Sequence, residues 1–170
     1  NFNKIIANNK YSVDPGLEFK KNPVDFKVTS DDFFELLNNG SILDQKVKFD
    51  VIFIDGLHTS DQVYKDIQNS LNYLTEDGFI VIHDCNPPTE WHARETQHYF
   101  LSPARNHWNG TVWKALYKFR FDTNVSVCCI DSDWGLGVIS KRKTYSSLVE
   151  DINPFLEYRI FDANRKISIN

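Results

Sequence analysis

Two short apolar runs of one design constrain this chain more than any other feature: "DVIFID" at residues 50–55 and "GFIVIHD" at residues 78–84. Both are rich in β-branched residues and both end on an acid. Apolarity that is continuous rather than alternating predicts strands covered on both faces, as in a parallel sheet. Between them Val63, Ile67, Leu71 and Leu74 recur at spacings of four and three, which predicts an amphipathic helix over residues 59–74. Thr59 and Gln62 fit a capping box at its start, and Asp77-Gly78 fits an exit turn. Strand, helix and strand at this spacing make a right-handed βαβ unit.

The flanking segments extend the pattern. "KYSVD" (10–14) and "VDFKVT" (24–29) predict two weaker strands, the second followed by a helix from about residue 31 to 37. Residues 110–121 predict a helix with Val112, Ala115, Leu116 and Phe119 on one side. Residues 125–130 and 134–140 flank "DSDWG" too closely for a crossover helix, so they predict an antiparallel hairpin. Residues 145–170 predict a C-terminal helical extension. The connection over 85–108 is longer than loops normally are, and it is either a disordered connector or a lid over a site; the lid is the reading taken. Together these elements predict one α/β domain over residues 1–170, with a Rossmann-like, doubly wound, mostly parallel sheet that ends in an antiparallel hairpin.

Composition removes several classes of function. With 41% hydrophobic and 14% aromatic residues the chain is too apolar for disorder. The net charge of -4 and a single dense basic run, Lys141-Arg142-Lys143, read as a solvated turn, leave no footprint for broad nucleic-acid or membrane-surface binding. No stretch approaches the roughly 20 apolar residues of a membrane span, and the start lacks the basic and apolar regions of a signal peptide. A cytoplasmic protein is expected. Three cysteines, two of them adjacent, suit reduced thiols better than a disulfide framework. Asn109-Gly110-Thr111 and Asn124-Val125-Ser126 match the glycosylation tripeptide, a pattern short enough to arise by chance.

In open α/β sheets ligands bind beyond the carboxyl ends of the strands, where Asp55 and Asp84 sit. If the two strands are neighbours, their axes lie about 4.8 Å apart, and two carboxylates at equal depth repel unless something positive lies between them. A hard divalent cation such as Mg²⁺ meets that need. The plainer alternative is that each acid caps a nearby helix. His58, three residues past Asp55, is suited to take a proton from a hydroxyl acidified by the cation, or simply to pack at the helix start. His83 adjoins Asp84 but by strand alternation faces the other way, behind the site or into the core. Asp14, before Pro15-Gly16, is either a turn residue or an acid for ribose hydroxyls. Ser30-Asp31-Asp32 fits an N-cap with acids in the first turn, and the same place in a nucleotide fold lies beside the base.

"YSVDP", "VTSDDFFELL", the run from Phe49 to Cys85, "WKALYKF" and "DWGLGVIS" resemble the class I S-adenosylmethionine-dependent methyltransferases, in particular small ones associated with sugar and polysaccharide biosynthesis. The resemblance implies a seven-stranded sheet, with Asp14 on the cofactor ribose, Ser30 and Asp31 beside the adenine, Asp55 bordering the cofactor, and Asp55 with Asp84 as the Mg²⁺ aspartates of the metal-dependent O-methyltransferases. His58 takes the place of a lysine base in the catechol and caffeoyl-CoA type enzymes. Two departures stand out. Cys85 occupies the position of an asparagine ligand, and the family's first strand with its glycine-rich loop has no counterpart before "NFNKIIANNK", so a preceding segment is expected.

The function expected is methyl transfer from S-adenosylmethionine to a hydroxyl of a sugar or similar small polar acceptor, with Mg²⁺ or another divalent cation, His58 as base, and a carbohydrate and a second copy of the chain as partners. Two other readings stay open: a methyltransferase-like scaffolding domain without catalysis, and a metal-dependent hydrolase using Asp55, His58, His83 and Asp84. The opposed facing of His83 and Asp84 counts against the hydrolase.

Overall fold

A computed structural model describes residues 2–17, 23–142 and 150–169. The chain divides into two compact units, Asn1–Val47 and Lys48–Asn170.

The first unit holds a short 3-10 turn, Phe2–Lys4, and helix α1, Ser30–Asn38. Its two strand candidates reduce to one parallel bridge, Val13 to Phe26. Helix α1 begins one residue away from the expected cap: Thr29, not Ser30, is the N-cap, and its Oγ1 accepts the Asp32 N–H at 3.1 Å. Phe33 and Leu37, four residues apart on one face, are the buried side chains of the helix.

The second unit contains β1, Phe49–Ile54; α2, Ser60–Tyr73; β2, Leu74–Ile82; α3, Val112–Phe119; β3, Ser126–Ile130; β4, Leu136–Ser140; α4, Tyr158–Ala163; and α5, Arg165–Ile169. Its sheet has the order β1-β2-β4-β3, with β1 and β2 parallel and the other pairs antiparallel. The predicted βαβ unit, the α3 helix and the closing hairpin are therefore present, in a mixed α/β architecture compatible with a Rossmann-like methyltransferase. Of the C-terminal extension, residues 145–149 lie outside the described residues, as does Lys143 of the basic run. Lys141 and Arg142 of that run pair with Glu76 and Asp77.

Three local expectations are corrected. Helix α2 passes straight into β2 at Leu74, and Asp77-Gly78 lies inside the strand rather than in an exit turn. Gly78 is needed there for close approach, since a Cβ would stand 2.9 Å from the Asp50 carbonyl of the neighbouring strand. The Thr59–Gln62 capping box does not form, because the Thr59 side chain makes no capping bond. Nor, among the described residues of this unit, are both faces of the sheet covered. Ile54, Ile80 and Ile82 point into a core with Val63, Ile67, Leu116 and Phe119, while Val51 and Phe53 on the other face are 61% and 58% exposed. Helices α2 and α3 pack against one another over the buried face; the run is apolar throughout because both faces carry apolar residues, which is a weaker condition than both being covered.

All three cysteines are free thiols, as their odd count suggests. Burial lifts all three above the ordinary thiol range, Cys129 to about 12 and Cys85 well above its usual value. Cys128 alone is exposed. Because the thiolate is the nucleophile and access limits its reaction, limited alkylation of the native protein should label Cys128 slowly and leave Cys85 and Cys129 intact until denaturant is added. Peptide mapping of the labelled protein reads this directly.

Candidate active site at the strand ends

Strands β1 and β2 pair in register to Ile54 and Ile82, and the ladder continues with the His83 N–H donating to the Ile54 carbonyl at 3.0 Å. Both chains then leave the sheet at one edge. The carboxylates of Asp55 and Asp84 open onto the same place, joined by His58, and one ligand atom from each of the three lies within 4.8 Å of the others. His58 Nε2 stands 3.6 Å from Asp55 Oδ1, and its Nδ1 stands 3.5 Å from Asp84 Oδ2.

His83 is where alternation fails. It faces the acids, with Nδ1 at 3.0 Å from Asp84 Oδ2 and 3.6 Å from Asp55 Oδ1, and Nε2 at 3.5 Å from Asp133. The physical reason lies one residue on: Asp84 has φ 65°, in the left-handed region, so the two-residue period of the strand has already ended. Asp is among the few residues that accept this conformation with modest strain. The facing argument against hydrolysis therefore does not hold.

Cys85, the residue in the family's asparagine position, turns away from the acids into the core, where its Sγ lies 3.5 Å from the Ile82 carbonyl. An amide reaches Asp84 from elsewhere. Asn109, 1% exposed, donates from Nδ2 to Asp84 Oδ1 at 2.7 Å. Trp108 stacks on the His58 ring at 5.0 Å between centroids, and its carbonyl accepts the His58 Nδ1–H at 3.1 Å. Since a carbonyl can only accept, this bond places a proton on Nδ1: in the neutral ring Nε2 carries the lone pair, and in the charged ring Nε2 donates to Asp55.

The connection over 85–108 is built around Arg94. Its guanidinium donates to the carbonyls of Trp91, His107, Gln97 and Arg105, and its own carbonyl accepts from Trp108 Nε1 at 2.7 Å. Behind it, Gly110 at φ 66° passes against His58, and Thr111 donates its N–H to the His58 carbonyl at 2.9 Å. Thr111 also supplies the cap that Thr59 does not, its Oγ1 accepting the Ser60 N–H at 2.7 Å. Thr111→Val keeps the volume and removes that acceptor, so a loss of about 1 kcal/mol is expected in a denaturant titration. The sequence placed Trp108 at the end of a lid and Gly110 and Thr111 at the start of a helix but gave Asn109 no role beyond the glycosylation tripeptide, and burial of Asn109 puts it out of reach of a glycan.

The electrostatics follow from crowding two acids and two imidazoles at one edge. Hydrogen bonding from His58 draws the Asp55 carboxyl below its usual range. Burial pushes Asp84 the other way, above its usual range, and the two histidines offset this only in part. Burial disfavours charge on His58 and His83, yet the neighbouring carboxylates outweigh it and both rings are raised. The raised Asp84 and the raised histidines pull in opposite senses for one contact. The histidine direction is the better founded, because each ring faces two acids whereas the upward shift on Asp84 comes chiefly from burial.

The remaining site candidates lie in the first unit. Asp14 is held in its turn, with Oδ1 accepting the Gly16 N–H at 2.5 Å. Ser30 opens α1, and Asp31 lies in its first turn, exposed. No helix among the described residues is long and apolar enough to cross a membrane.

No curated protein matches the chain. Residues 7–85, just under half of its length, match the family model of a methyltransferase domain. The match takes in β1, α2, β2 and all three of Asp55, His58 and Asp84, and it supports a methyltransferase, with S-adenosylmethionine as the implied methyl donor.

Proposed function

We propose that the protein is an O-methyltransferase acting on a hydroxyl of a sugar or another small polar acceptor, with a divalent cation held by Asp55 and Asp84. The supporting observation is the convergence of Asp55, His58 and Asp84 at the carboxyl ends of neighbouring parallel strands, inside the matched domain. Two carboxylates with ligand atoms within 4.8 Å of one another suit a hard or borderline divalent ion such as Mg²⁺ or Mn²⁺. Such an ion, when held there, supplies the charge that acidifies a hydroxyl. S-adenosylmethionine, when bound, supplies a methyl carbon open to direct displacement. For its ribose and adenine the reading assigns Asp14, Ser30 and Asp31, with Asp55 serving it from the strand end.

The chain's own residues do the rest. His58 Nε2, its lone pair kept available by the bond from Nδ1 to Trp108, accepts the hydroxyl proton. Asp84 is held by Asn109, so the cation's anionic support stays fixed while Asp55 remains more exposed. Trp108 and Trp134 border a cleft of about 200 Å³ beside His83 and Asp84. The transfer is direct between oriented partners, with no covalent enzyme intermediate.

The test is release of S-adenosylhomocysteine across a panel of hydroxyl acceptors, before and after chelation. Chelated protein should lose turnover, and added Mg²⁺ or Mn²⁺ should restore it. Turnover that survives complete metal removal overturns the cation, and a methyl group found on nitrogen or carbon in the product overturns the hydroxyl acceptor.

A further inference from the structure

The turn between β3 and β4 holds two consecutive non-glycine residues in the left-handed region, Asp133 at φ 46° and Trp134 at φ 66°. A side chain as bulky as tryptophan seldom adopts that conformation, and where it does the surroundings impose it. Here the Trp134 and Gly135 carbonyls accept the N–H groups of Asn86 and Cys85 at 2.8 and 2.9 Å. Gly135 passes so close that a Cβ on it would collide with the Asn86 nitrogen. Asp133 Oδ2 lies 3.5 Å from His83 Nε2. The turn is thus clamped to the residues that follow Asp84, and the clamp fixes the Trp134 ring beside them.

That ring is backed on one side. The His92 and His107 centroids stand 5.4 and 5.8 Å from that of Trp134 and 6.4 Å from each other. Rings on opposite faces of the indole would stand far further apart, so both histidines lie to one side of it. The indole is still 40% exposed, and it lines the cleft of about 200 Å³ together with His83, Asp84, Asn106 and His107. A space below the roughly 300–1,000 Å³ of drug-sized pockets admits a single ring. Around the apolar indole the lining is mostly side chains that donate or accept hydrogen bonds. Among the described residues neither lysine nor arginine borders the cleft, whereas Asp84 does, which sets the local charge against a phosphate or a carboxylate.

We infer that Trp134 is the platform for the acceptor, and that the cleft takes one uncharged pyranose ring with a C–H face laid on the indole and its hydroxyls directed to His83, Asn106 and His107. A pyranose presents apolar C–H groups on its faces and hydroxyls around its edge, which is the pattern of this lining; a phenol is apolar around most of its edge and matches it less well. The inference rests on the reading of the protein as a methyltransferase of hydroxyl acceptors, and gives that acceptor its position and its charge class.

The probes are the methyl glycosides of glucose, galactose and mannose, with glucuronate and glucose 6-phosphate as charged counterparts and phenol as the planar one. Each is titrated into the ¹⁵N-labelled full chain while the four indole N–H resonances are followed. Trp134→Tyr, which keeps an aromatic face, assigns the resonance. At least one glycoside should move the Trp134 signal in a saturable way at millimolar concentration, and the charged sugars and phenol should bind several-fold more weakly. Trp134→Asn keeps a residue that tolerates the left-handed backbone and removes the ring. It should weaken the glycoside about tenfold, read by saturation transfer to the sugar, while Trp134→Tyr stays within a few-fold of the parent. No saturable shift with any glycoside, tighter binding of phenol or of a charged sugar, or unchanged binding in Trp134→Asn overturns the assignment. The methyl-transfer reading fails separately. A glycoside that binds at Trp134 but releases no S-adenosylhomocysteine upholds the platform against that chemistry, whereas turnover with the same KM in Trp134→Asn overturns the platform and leaves the chemistry standing.

Discussion

Asp55→Asn should lower methyl transfer by at least about 10³-fold, the scale on which metal and general-base contributions act, while the protein unfolds at the temperature of its parent. The side chain is 44% exposed and makes no bond that the fold depends on, so the amide is accommodated; what it loses is the charge that faces His58 and the proposed cation. Asp84→Asn should cost a similar factor. Asparagine tolerates the left-handed backbone at this position, which makes it a fairer test than alanine. Turnover with S-adenosylmethionine, bound-metal stoichiometry and thermal unfolding together read the result: loss of metal and activity in a folded protein is expected, and parental turnover in either variant overturns the role given to the acids.

Gly110→Ala should be the most damaging small substitution in the second unit. Its backbone has φ 66°, and a Cβ there would collide with the His58 carbonyl oxygen and come within 2.6 Å of the His58 Cβ. Left-handed strain of roughly 1–2 kcal/mol and overpacking of about 1–3 kcal/mol together put the loss on the order of 3 kcal/mol. Relief requires Gly110 and His58 to part, which also pulls Thr111 from the start of α2. Activity should therefore fall further than the unfolded fraction explains, which a denaturant titration run beside the assay will show. Gly56 is the control: a Cβ added there would meet nothing within 4 Å, so Gly56→Ala should leave stability nearly unchanged.

What could be read in the residues before the structure was whatever depends on local pattern. The spacing of Val63, Ile67, Leu71 and Leu74 gave α2, the twin apolar runs gave β1 and β2, and the matched acids at their ends gave Asp55 and Asp84. The failures share a different cause. His83 was misplaced because alternation was carried one residue too far, past the point where Asp84 turns left-handed. Thr59 was given a capping role that Thr111 fills, 51 residues beyond Ser60, and Asn109 was missed because its partner lies 25 residues back. A hydrogen bond between distant segments leaves no period in the chain, so periodicity could not reveal it. The covered second face was over-read for the same reason, since burial belongs to packing between elements and not to the composition of one.

The passage from Tyr73 to Leu74 without an intervening residue couples α2 directly to β2. With no slack between helix and strand, the rise of α2 sets where β2 begins, and the irregular register between Phe49 and Val51 takes up the mismatch before the ladder reaches Ile54 and Ile82. How far apart the two carboxyl groups stand is thus decided by the last rungs of the ladder, and the helix at their backs is insulated from them by that irregularity.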